Sequence, residues 1–331
     1  MPEKAPKPIK LAVRPTPIQF LEKATAEING PEIWVKRDDL TECPLTGNKV
    51  RKLEYLLSDA LSKGADTILT CGGTQSNHCR TTAIACIPLG LKPYLILRGG
   101  PEEISEGNHF LDLLVGSKIK YVNAQEYDRW PEVMKEEAEK LTQKGQKPYI
   151  IPEGGTNAVG AWGYYNFITE LQEQEREMGV NFDAVICAVG SGGTLSGLLL
   201  GKHNLGYNGE IVGFNIGNDP EFFQDRLWEE FREAKEMYGI ESGMAKKEDI
   251  PIIGGFEGGG YGVSTHEEWK TLIWLARLEG IILEPVYTNK AFIGMMSEIE
   301  KGRWGKDKKV LFIHTGGIFG LMAKNDEFKG L

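Results

Sequence analysis

Short apolar runs alternate with amphipathic segments along this chain. Residues 33–36, 67–71 and 92–97 are rich in apolar and β-branched side chains, a pattern typical of buried strands. Between the first two runs, residues 53–61 carry leucine and alanine at the spacing of one helical face, and Gly64 ends that pattern. A strand–helix–strand order of this kind predicts a parallel sheet with helices packed on both faces.

The same alternation continues to the end of the chain. The remaining elements predicted from the pattern are helices over residues 78–89, 158–178, 195–201, 222–238, 267–279 and 291–301 and strands over residues 184–189, 211–216 and 310–314. We expect the charged face of the 222–238 helix to be a solvated outer surface. The glycine-rich residues 254–260 are expected to form a loop of the kind that often borders a site.

Composition narrows the classes of partner. The chain has 331 residues, 41% of them hydrophobic, which allows one large domain or two smaller ones with sizeable cores. Binding nucleic acid without sequence specificity needs a basic face to displace counterions, so at a net charge of −9 nucleic acid is not the expected partner. Residues 1–14 are rich in lysine and proline and do not resemble a signal peptide, and no apolar run is long enough to span a bilayer. We therefore expect neither a nucleic-acid nor a membrane partner.

Five cysteines occur, at widely separated positions. None of them forms a C-x-x-C pair, so the sequence predicts neither a zinc or other metal site nor a disulfide framework. A reducing cytoplasm is the compartment that fits best, and most of the thiols are expected to be small buried apolar groups.

Lys49 is the first candidate for chemistry. It stands where a loop is predicted to become a helix, two residues after Gly47, and Lys52 follows almost one helical turn later. A lysine with a depressed pKa can form a Schiff base with an aldehyde cofactor, and the second lysine can hold an anionic group of that cofactor. The alternative is an ordinary basic helix start, although the helix dipole disfavours cations there.

The second candidate is the glycine turn at residues 190–194, between an apolar strand and a helix. Backbone N–H groups freed at a helix N-terminus bind phosphate well. The dinucleotide fingerprint requires glycine at the position of Leu195, and the P-loop requires lysine at that of Leu198, so neither nucleotide pattern is present. A tight turn without a ligand is the alternative.

Two further segments carry candidate side chains. Ser76 and Asn77 lie at a predicted strand-to-helix junction, where they either cap the helix or bind a carboxylate together with the free N–H groups. Tyr287, in residues 284–288, and Tyr261, after the glycine run, act as acids or bases if a basic group is near, and otherwise are half-buried packing residues.

Four stretches taken together, residues 49–55, 73–80, 190–197 and 314–317, resemble the 1-aminocyclopropane-1-carboxylate (ACC) deaminase/D-cysteine desulfhydrase family. The resemblance extends over residues 16–317. It implies pyridoxal 5'-phosphate as the cofactor. It also implies the α/β fold of a fold type II pyridoxal-phosphate enzyme, with two open, twisted, mostly parallel sheets flanked by helices.

The resemblance assigns roles around the cofactor. Lys49 matches the lysine that forms the internal aldimine and moves the α-proton, and Lys52 matches a basic residue beside the phosphate. The phosphate cradle is matched by Gly190, Ser191, Gly192, Gly193 and Thr194.

Other matching residues lie on the substrate side. Ser76 matches a residue at the substrate carboxylate that is also proposed to be catalytic, and Asn77 matches the partner of the cofactor's phenolic oxygen and of the substrate. His78 is assigned with them to the substrate site. Tyr261 and Tyr287 match two active-site tyrosines.

Two threonines bear on which family reaction is expected. The deaminase branch typically has a glutamate directly after the second tyrosine, facing the pyridine nitrogen, where this chain has Thr288. It also has Thr315 where the deaminases have leucine. A carboxylate keeps the pyridine nitrogen protonated and strengthens the ring as an electron sink, which opening a cyclopropane needs more than expelling a thiolate does. The resemblance therefore favours D-cysteine desulfhydrase, a lyase that releases pyruvate, ammonia and sulfide.

Alternatives stay open at this point. L-cysteate sulfo-lyase shares these motifs, and a deaminase of ACC or of other β-substituted amino acids is a further possibility. A non-catalytic small-molecule-binding protein on the same fold is the alternative from another class, and a dehydrogenase is disfavoured because the dinucleotide fingerprint is missing.

The family resemblance also implies a domain organisation. A small domain over residues 49–163, which carries the lysine and the serine–asparagine loop, is expected to be inserted into a large cofactor-binding domain formed by residues 1–48 and 164–331. The cofactor is expected in the cleft between them, in a homodimer.

Overall fold

A computed structural model describes residues 4–101, 105–217 and 219–328 of the chain. Its strands are β1 (Ile18–Phe20), β2 (Glu32–Lys36), β3 (Thr67–Gly73), β4 (Lys92–Arg98), β5 (Lys118–Val122), β6 (Pro148–Ile150), β7 (Ala184–Val189), β8 (Glu210–Asn215), β9 (Ile252–Ile253) and β10 (Lys309–Ile313). Its α-helices are α1 (Glu22–Ile28), α2 (Asn48–Ser62), α3 (Asn77–Cys86), α4 (Gly107–Leu114), α5 (Ala124–Tyr127), α6 (Trp130–Gln143), α7 (Trp162–Met178), α8 (Gly193–Leu205), α9 (Pro220–Tyr238), α10 (His266–Glu279), α11 (Thr288–Glu300) and α12 (Ile318–Met322).

The strands form two separate sheets. The larger has the order β1-β2-β10-β7-β8-β9 and is parallel except for the antiparallel pair β1 and β2. The smaller has the order β5-β4-β3-β6 and is parallel throughout. The prediction of two open, mostly parallel sheets flanked by helices is confirmed. The smaller sheet lies within the predicted insertion at 49–163, whose boundaries stay a prediction.

Helix α2 lies between the two sheets and is covered by other helices on more than one face. Leu53 and Leu56 belong to a core cluster that also contains Trp162 and Phe167 of α7 and Leu198 of α8. That cluster joins the layer of helices on the larger sheet to the layer on the smaller sheet. The start of α2, where Lys49 stands, is therefore fixed by packing from both sides.

A buried ion network holds the same helix. The guanidinium of Arg51 forms an ion pair of 2.7 Å with Asp38 and one of 2.8 Å with Glu170. Arg51 and Asp38 are fully buried, and Tyr164 of α7 donates a further hydrogen bond of 2.6 Å to Asp38. Buried charges of this kind persist when every member is paired, so the network defines one position for α2.

Some predicted helices have different bounds in the structure. The predicted 78–89 helix is α3 followed by a separate 3-10 turn over Ile87–Leu89, and the predicted 158–178 helix begins at Trp162. Helix α9 is amphipathic, as predicted: its charged face is exposed, whereas its apolar face buries Phe223 and Leu227 and packs on α8.

Among the helices of the described ranges, none is long and apolar enough to cross a membrane. Four of the five cysteines are buried free thiols, as expected for small apolar groups, and Cys43 is exposed.

Candidate active site

A cavity of about 390 Å³ opens between the two sheets, at the carboxyl ends of β3, β4, β7 and β10. Crevices at this position are the usual ligand sites of open α/β sheets. The predicted site residues that line it are Lys49, Ser76, Asn77, His78, Gly190, Ser191, Gly192, Thr194, Tyr261, Tyr287 and Thr315. Three predicted residues, Lys52, Gly193 and Thr288, do not line it.

Lys49 is the second residue of α2, and Gly47 determines where that helix begins. Gly47 has a φ of +102°, and a methyl group there would lie 2.4 Å from the carbonyl oxygen of Thr315. Asn48 donates a backbone hydrogen bond of 3.1 Å to the same oxygen. The helix that carries Lys49 is thereby tied to the end of β10, in a geometry that glycine alone adopts without strain.

The environment of Lys49 favours its neutral amine. Burial lowers the pKa of Lys49 to about 8, the Glu153 carboxylate opposes that shift, and the Arg226 guanidinium adds to it. A lysine with such a pKa is about one tenth neutral at pH 7, a far larger neutral fraction than an ordinary lysine has. It can then attack an aldehyde, which an ordinary surface lysine rarely does.

The glycine turn after β7 forms an anion cradle. Gly192 has a φ of +92° and precedes Gly193, the first residue of α8. A methyl group on Gly193 would lie 2.7 Å from Thr156 Oγ1 and 2.8 Å from Lys52 Nζ, so a larger residue would have to displace these side chains. The first N–H groups of α8 have no partner within the helix and are available to an anion.

Lys52 lies beneath this cradle and not on the cavity wall. Its side-chain nitrogen is buried beside Gly193 and donates a hydrogen bond of 3.1 Å to the carbonyl of Gly154. Burial and the charge of Lys49 hold its pKa well below the ordinary value, while the buried Glu230 opposes the shift. An anion bound in the cradle would restore the charged form of Lys52.

Ser76, Asn77 and His78 lie at the junction of β3 and α3. Ser76 caps α3, accepting a hydrogen bond of 3.2 Å from the backbone N–H of Cys79, and it also lines the cavity. Capping of the helix and binding of a carboxylate were the alternatives in the sequence; the structure shows the cap, and carboxylate binding stays a prediction that the place of Ser76 on the cavity wall allows. Asn77 Oδ1 accepts a hydrogen bond of 3.0 Å from Asn108, which leaves the Asn77 amide N–H groups as donors.

His78 is a buried neutral residue of the cavity wall. Its Nε2 lies 2.8 Å from Thr70 Oγ1, and its Nδ1 has no hydrogen-bond partner among the described residues. Burial, together with the charges of Lys49 and Lys52, holds the pKa of His78 well below the ordinary value. The neutral imidazole can therefore form a hydrogen bond with a ligand through Nδ1.

Tyr261 and Tyr287 meet on the opposite wall. The ring of Tyr287 covers Gly190, where a methyl group would lie 2.6 Å from Tyr287 Cε1. The two hydroxyl oxygens are 2.6 Å apart. Burial and the neighbouring Tyr261 hydroxyl raise the pKa of Tyr287 well above its ordinary value, so it stays protonated. Tyr261 is 44% exposed and stands nearer to solvent.

The two threonines differ in position. Thr288 is fully buried outside the cavity; its hydroxyl accepts a hydrogen bond of 2.8 Å from the N–H of Glu284 and donates one of 3.2 Å to the Glu284 carbonyl. Thr315, at the end of β10, lines the cavity. The Thr288 hydroxyl is engaged by the backbone of Glu284 and does not reach the cavity. Of the two threonines, Thr315 therefore stays the candidate for facing the pyridine nitrogen.

Three residues that line the cavity, Arg98, Tyr127 and Glu153, were not predicted from the sequence. Arg98 ends β4, and its guanidinium lies over the rings of Tyr127 and Tyr261. Tyr127 donates a hydrogen bond of 2.6 Å to Glu153. A signal did exist for Glu153, because it begins a Glu-Gly-Gly-Thr turn directly after a strand, like the two turns that were recognised.

These residues fit a phosphorylated aldehyde cofactor. The cavity region brings together an amine of lowered pKa, a backbone cradle crowded around Gly193, and Thr156, whose hydroxyl donates a hydrogen bond of 2.9 Å to Ser191. Asn48 donates one of 3.0 Å to Thr194 and so connects the start of α2 to the cradle. The fold and the cavity together define a pyridoxal-phosphate-dependent enzyme of fold type II.

Comparison with known proteins agrees with that class. The family model described as pyridoxal-phosphate dependent enzyme matches residues 9–316. The chain is 45% identical to a Thermotoga maritima protein named "Putative 1-aminocyclopropane-1-carboxylate deaminase", covering 96% of this chain and 98% of that one. It is 39% identical to the Arabidopsis thaliana mitochondrial bifunctional D-cysteine desulfhydrase/1-aminocyclopropane-1-carboxylate deaminase (97% and 80%). It is 35% identical to the Klebsiella pneumoniae D-cysteine desulfhydrase (95% and 95%).

A solved structure described as an ACC deaminase homologue superimposes with a TM-score of 0.89 at 39% identity, covering 97% of this chain and 95% of that one. The chain belongs to the ACC deaminase/D-cysteine desulfhydrase family, and pyridoxal phosphate is its cofactor. The names of these relatives include both activities, so they do not single out the desulfhydrase that the threonines favour.

Proposed function

We propose that the chain catalyses α,β-elimination on a small amino acid, with D-cysteine as the substrate and pyruvate, ammonia and sulfide as products. The observation that carries the proposal is the threonine at position 315 on the cavity wall. The carboxylates that line the cavity in the described part of the chain are Glu153, engaged by Tyr127, and the exposed Asp128. A hydroxyl stabilises a protonated pyridine nitrogen less than a carboxylate does, and expelling a thiolate tolerates the weaker electron sink.

Pyridoxal phosphate, when bound, supplies an aldehyde that captures the substrate amine and a conjugated ring that withdraws electrons from the α-carbon. The N–H groups at the start of α8 hold its phosphate, with Lys52 adding positive charge from below. The N-terminus of α3, with Ser76 and Asn77, holds the substrate carboxylate. The D configuration is supported by the family resemblance and not by a feature of the cavity.

Two side chains move protons in this proposal. The Lys49 amine accepts the α-proton, because burial lowers its pKa to about 8 and so makes the neutral amine far more abundant than in an ordinary lysine. Tyr287 donates a proton to the departing sulfur because its raised pKa keeps the hydroxyl protonated. The electron pair of the Cα–H bond forms the Cα–Cβ double bond, the C–S pair leaves with sulfur, and water then releases ammonia and pyruvate.

A substrate panel tests the proposal. Pyruvate formation is measured with D-cysteine, L-cysteine, β-chloro-D-alanine and L-cysteate, and with Lys49→Ala as the inactive control. We expect D-cysteine to be used with release of sulfide, and Lys49→Ala to lose both turnover and the visible absorbance of the bound cofactor. Turnover by Lys49→Ala at the rate of the unaltered protein would reject the assigned role of Lys49, and inactivity of the unaltered protein on D-cysteine would reject the substrate.

ACC deaminase is the second candidate, favoured by the name of the Thermotoga maritima relative. Its substrate has four carbons and yields a four-carbon oxo acid, 2-oxobutanoate, with ammonia. Including ACC in the panel, with chromatographic separation of the two oxo acids, distinguishes the candidates. Formation of 2-oxobutanoate at a rate above that of pyruvate from D-cysteine would favour the deaminase.

Assembly and location complete the proposal. Family members are commonly homodimers, and we infer the same assembly here, working in the cytoplasm on a small amino acid without a nucleic-acid or membrane partner. Light scattering on the cofactor-loaded protein tests the assembly, with a mass of about twice 36.8 kDa expected.

A further inference from the structure

Asn108, the second residue of α4, is fully buried behind the cavity wall and contacts the turn that begins α3. Its Nδ2 donates hydrogen bonds of 2.9 Å to the backbone carbonyl of Gln75 and of 3.0 Å to Oδ1 of Asn77. Its Oδ1 accepts a hydrogen bond of 3.0 Å from Nε of Arg80. Both amide hydrogen atoms and the amide oxygen are therefore engaged inside the protein.

The amide of Asn108 can face only one way. On one side it meets Arg80, which has N–H donors and no acceptor, so the atom there must be the amide oxygen. On the other side it meets the Gln75 carbonyl, which only accepts, so the atom there must be the amide nitrogen. Asn77 consequently presents its oxygen to Asn108 and keeps its own N–H groups for the cavity that it lines.

Arg80, which sets the direction of this hydrogen-bond chain, is itself held firmly. It is fully buried, and its two terminal nitrogens donate to the carbonyls of Pro44, at 2.6 Å, and Thr46, at 3.3 Å. Burial lowers the pKa of Arg80 to about 10, and the charges of Asp112 and Glu42 oppose that shift. The guanidinium therefore stays charged near neutral pH, and it connects Asn108 to the loop that leads into α2.

The Gln75 side chain ties the same turn to the start of α4. Its Oε1 accepts a hydrogen bond of 3.0 Å from the backbone N–H of Asn108, and its Nε2 donates one of 3.1 Å to the Glu106 carbonyl. A methyl group on Gly107 would lie 2.7 Å from that Oε1 and 2.4 Å from the carbonyl oxygen of Phe319. The turn and the start of α4 are thus in close contact, which keeps Asn108 beside the residue that it orients.

We propose that Asn108 is a positioning residue that keeps the Asn77 N–H groups directed at the cavity, where they donate to the phenolic oxygen of the cofactor. The inference rests on the proposed elimination and on the role that the family resemblance gives Asn77. A donor favours the deprotonated form of the oxygen that it meets, whereas a carbonyl oxygen in the same place would oppose it. Asn108 acts on the cofactor only through Asn77.

Two substitutions of Asn108 separate orientation from contact. Asn108→Ala removes the partner of the Asn77 oxygen and leaves that amide free to turn. Asn108→Asp, ionised beside Arg80, has only acceptors, so it draws the Asn77 N–H groups toward itself and turns the Asn77 oxygen to the cavity. Asn166→Ala is the matched control: this half-buried asparagine donates a hydrogen bond of 2.6 Å to Tyr55 and does not line the cavity.

The measurement is a pH titration of the visible absorbance of the cofactor-loaded protein, recorded without substrate. The absorbance changes when the bound chromophore gains a proton, and losing a donor to the phenolic oxygen makes that proton easier to gain. We expect the midpoint to rise by about one pH unit in Asn108→Ala, to rise further in Asn108→Asp, and to stay unchanged in Asn166→Ala.

A double-mutant cycle shows whether Asn108 acts through Asn77. Asn77→Ala should raise the midpoint by itself, because it removes the donor. Adding Asn108→Ala to that variant should then change the midpoint by less than about 0.3 pH units. A merely structural role of Asn108 would shift the midpoint equally in the two backgrounds.

Three outcomes would overturn the inference: an unshifted midpoint in Asn77→Ala, an unshifted midpoint in both Asn108 variants, or a full shift by Asn108→Ala in the absence of the Asn77 side chain. If one Asn108 variant does not fold, the other decides. Inactivity on every amino acid of the panel would reject the proposed elimination alone, because the titration needs no substrate and still decides what Asn108 does.

Discussion

The hydroxyl oxygens of Tyr261 and Tyr287 are 2.6 Å apart, so one of these groups must donate a hydrogen bond to the other. Tyr287 is packed on Gly190, whereas Tyr261 is nearly half exposed. Burial raises the pKa of Tyr287 well above its ordinary value. The inner hydroxyl therefore stays protonated on the cavity wall, which suits the proton donation proposed for it, and the outer one stands nearer to solvent.

Tyr287→Phe should therefore damage the proton-transfer step. We expect kcat for sulfide release from D-cysteine to fall by about a hundredfold or more, as for the loss of a general acid. The loss should be smaller for β-chloro-D-alanine, because chloride leaves without a proton. Tyr261→Phe should cost less on both substrates, since the inner hydroxyl remains.

The matched control for these variants is Tyr94→Phe, which removes a hydroxyl bonded to Glu137 far from the cavity. Steady-state kinetics with the two substrates gives the comparison. An equal loss on D-cysteine and on β-chloro-D-alanine in Tyr287→Phe would contradict a role in protonating sulfur.

The buried pair of Arg51 and Asp38 leads to a prediction about stability. Asp38→Ala leaves the Arg51 guanidinium buried with Glu170 as its remaining carboxylate partner. We expect the free energy of unfolding to fall by about 3–5 kcal/mol, as when one partner of a buried ion pair is removed. Because the network positions α2, the affinity for the cofactor should fall as well.

Urea unfolding of the cofactor-free protein measures that loss. Glu229→Gln breaks the exposed pair with Arg232 and should change the free energy of unfolding by less than about 1 kcal/mol. Similar losses in the two variants would show that the buried network does not specify the position of α2.

Local signals explain why much of the fold could be predicted. Strand-to-glycine turns and helical spacing are encoded in neighbouring residues, and they located Lys49, Ser76 and the turn at 190–194. The side-chain direction of Thr288 was not predictable in this way, because it depends on hydrogen bonds that form once α11 begins at that residue. Arg98 was missed because its place on the wall follows from the order of strands in a sheet, which the linear pattern does not contain.

The close packing of α7 on α2 gives a second structural prediction. A methyl group on Gly163 would lie 2.6 Å from the carbonyl carbon of Arg51 and 2.7 Å from the backbone nitrogen of Lys52. These atoms belong to the backbone of α2 and cannot move without the helix. Gly163→Ala must therefore push α2 away from α7. We expect a loss of about 1–3 kcal/mol in the free energy of unfolding, together with weaker binding of the cofactor.

Gly100→Ala is the control for Gly163→Ala, because no atom of the described part of the chain beyond its sequence neighbours lies within 4 Å of the added methyl group at that exposed position. Both variants are compared by urea unfolding and by fluorescence titration with pyridoxal phosphate. If Gly163→Ala retained the stability of the Gly100→Ala variant, the tight contact between α2 and α7 would not be required.

The lowered pKa of Lys49 predicts how covalent capture of the cofactor depends on pH. Burial lowers the pKa of this amine to about 8, and only the neutral form attacks an aldehyde. The capture rate should therefore rise about tenfold per pH unit below that pKa and level off above it. Stopped-flow absorbance, with Lys49→Ala as a blank, records the rate.

Two charge variants should move this profile in opposite directions. The Glu153 carboxylate raises the pKa of Lys49 and the Arg226 guanidinium lowers it. Glu153→Gln should therefore shift the plateau to lower pH, because removing the carboxylate favours the neutral amine, and Arg226→Gln should shift it to higher pH. A capture rate that stays constant between roughly pH 6 and pH 9, or shifts of the same sign in the two variants, would mean that another group controls the reaction.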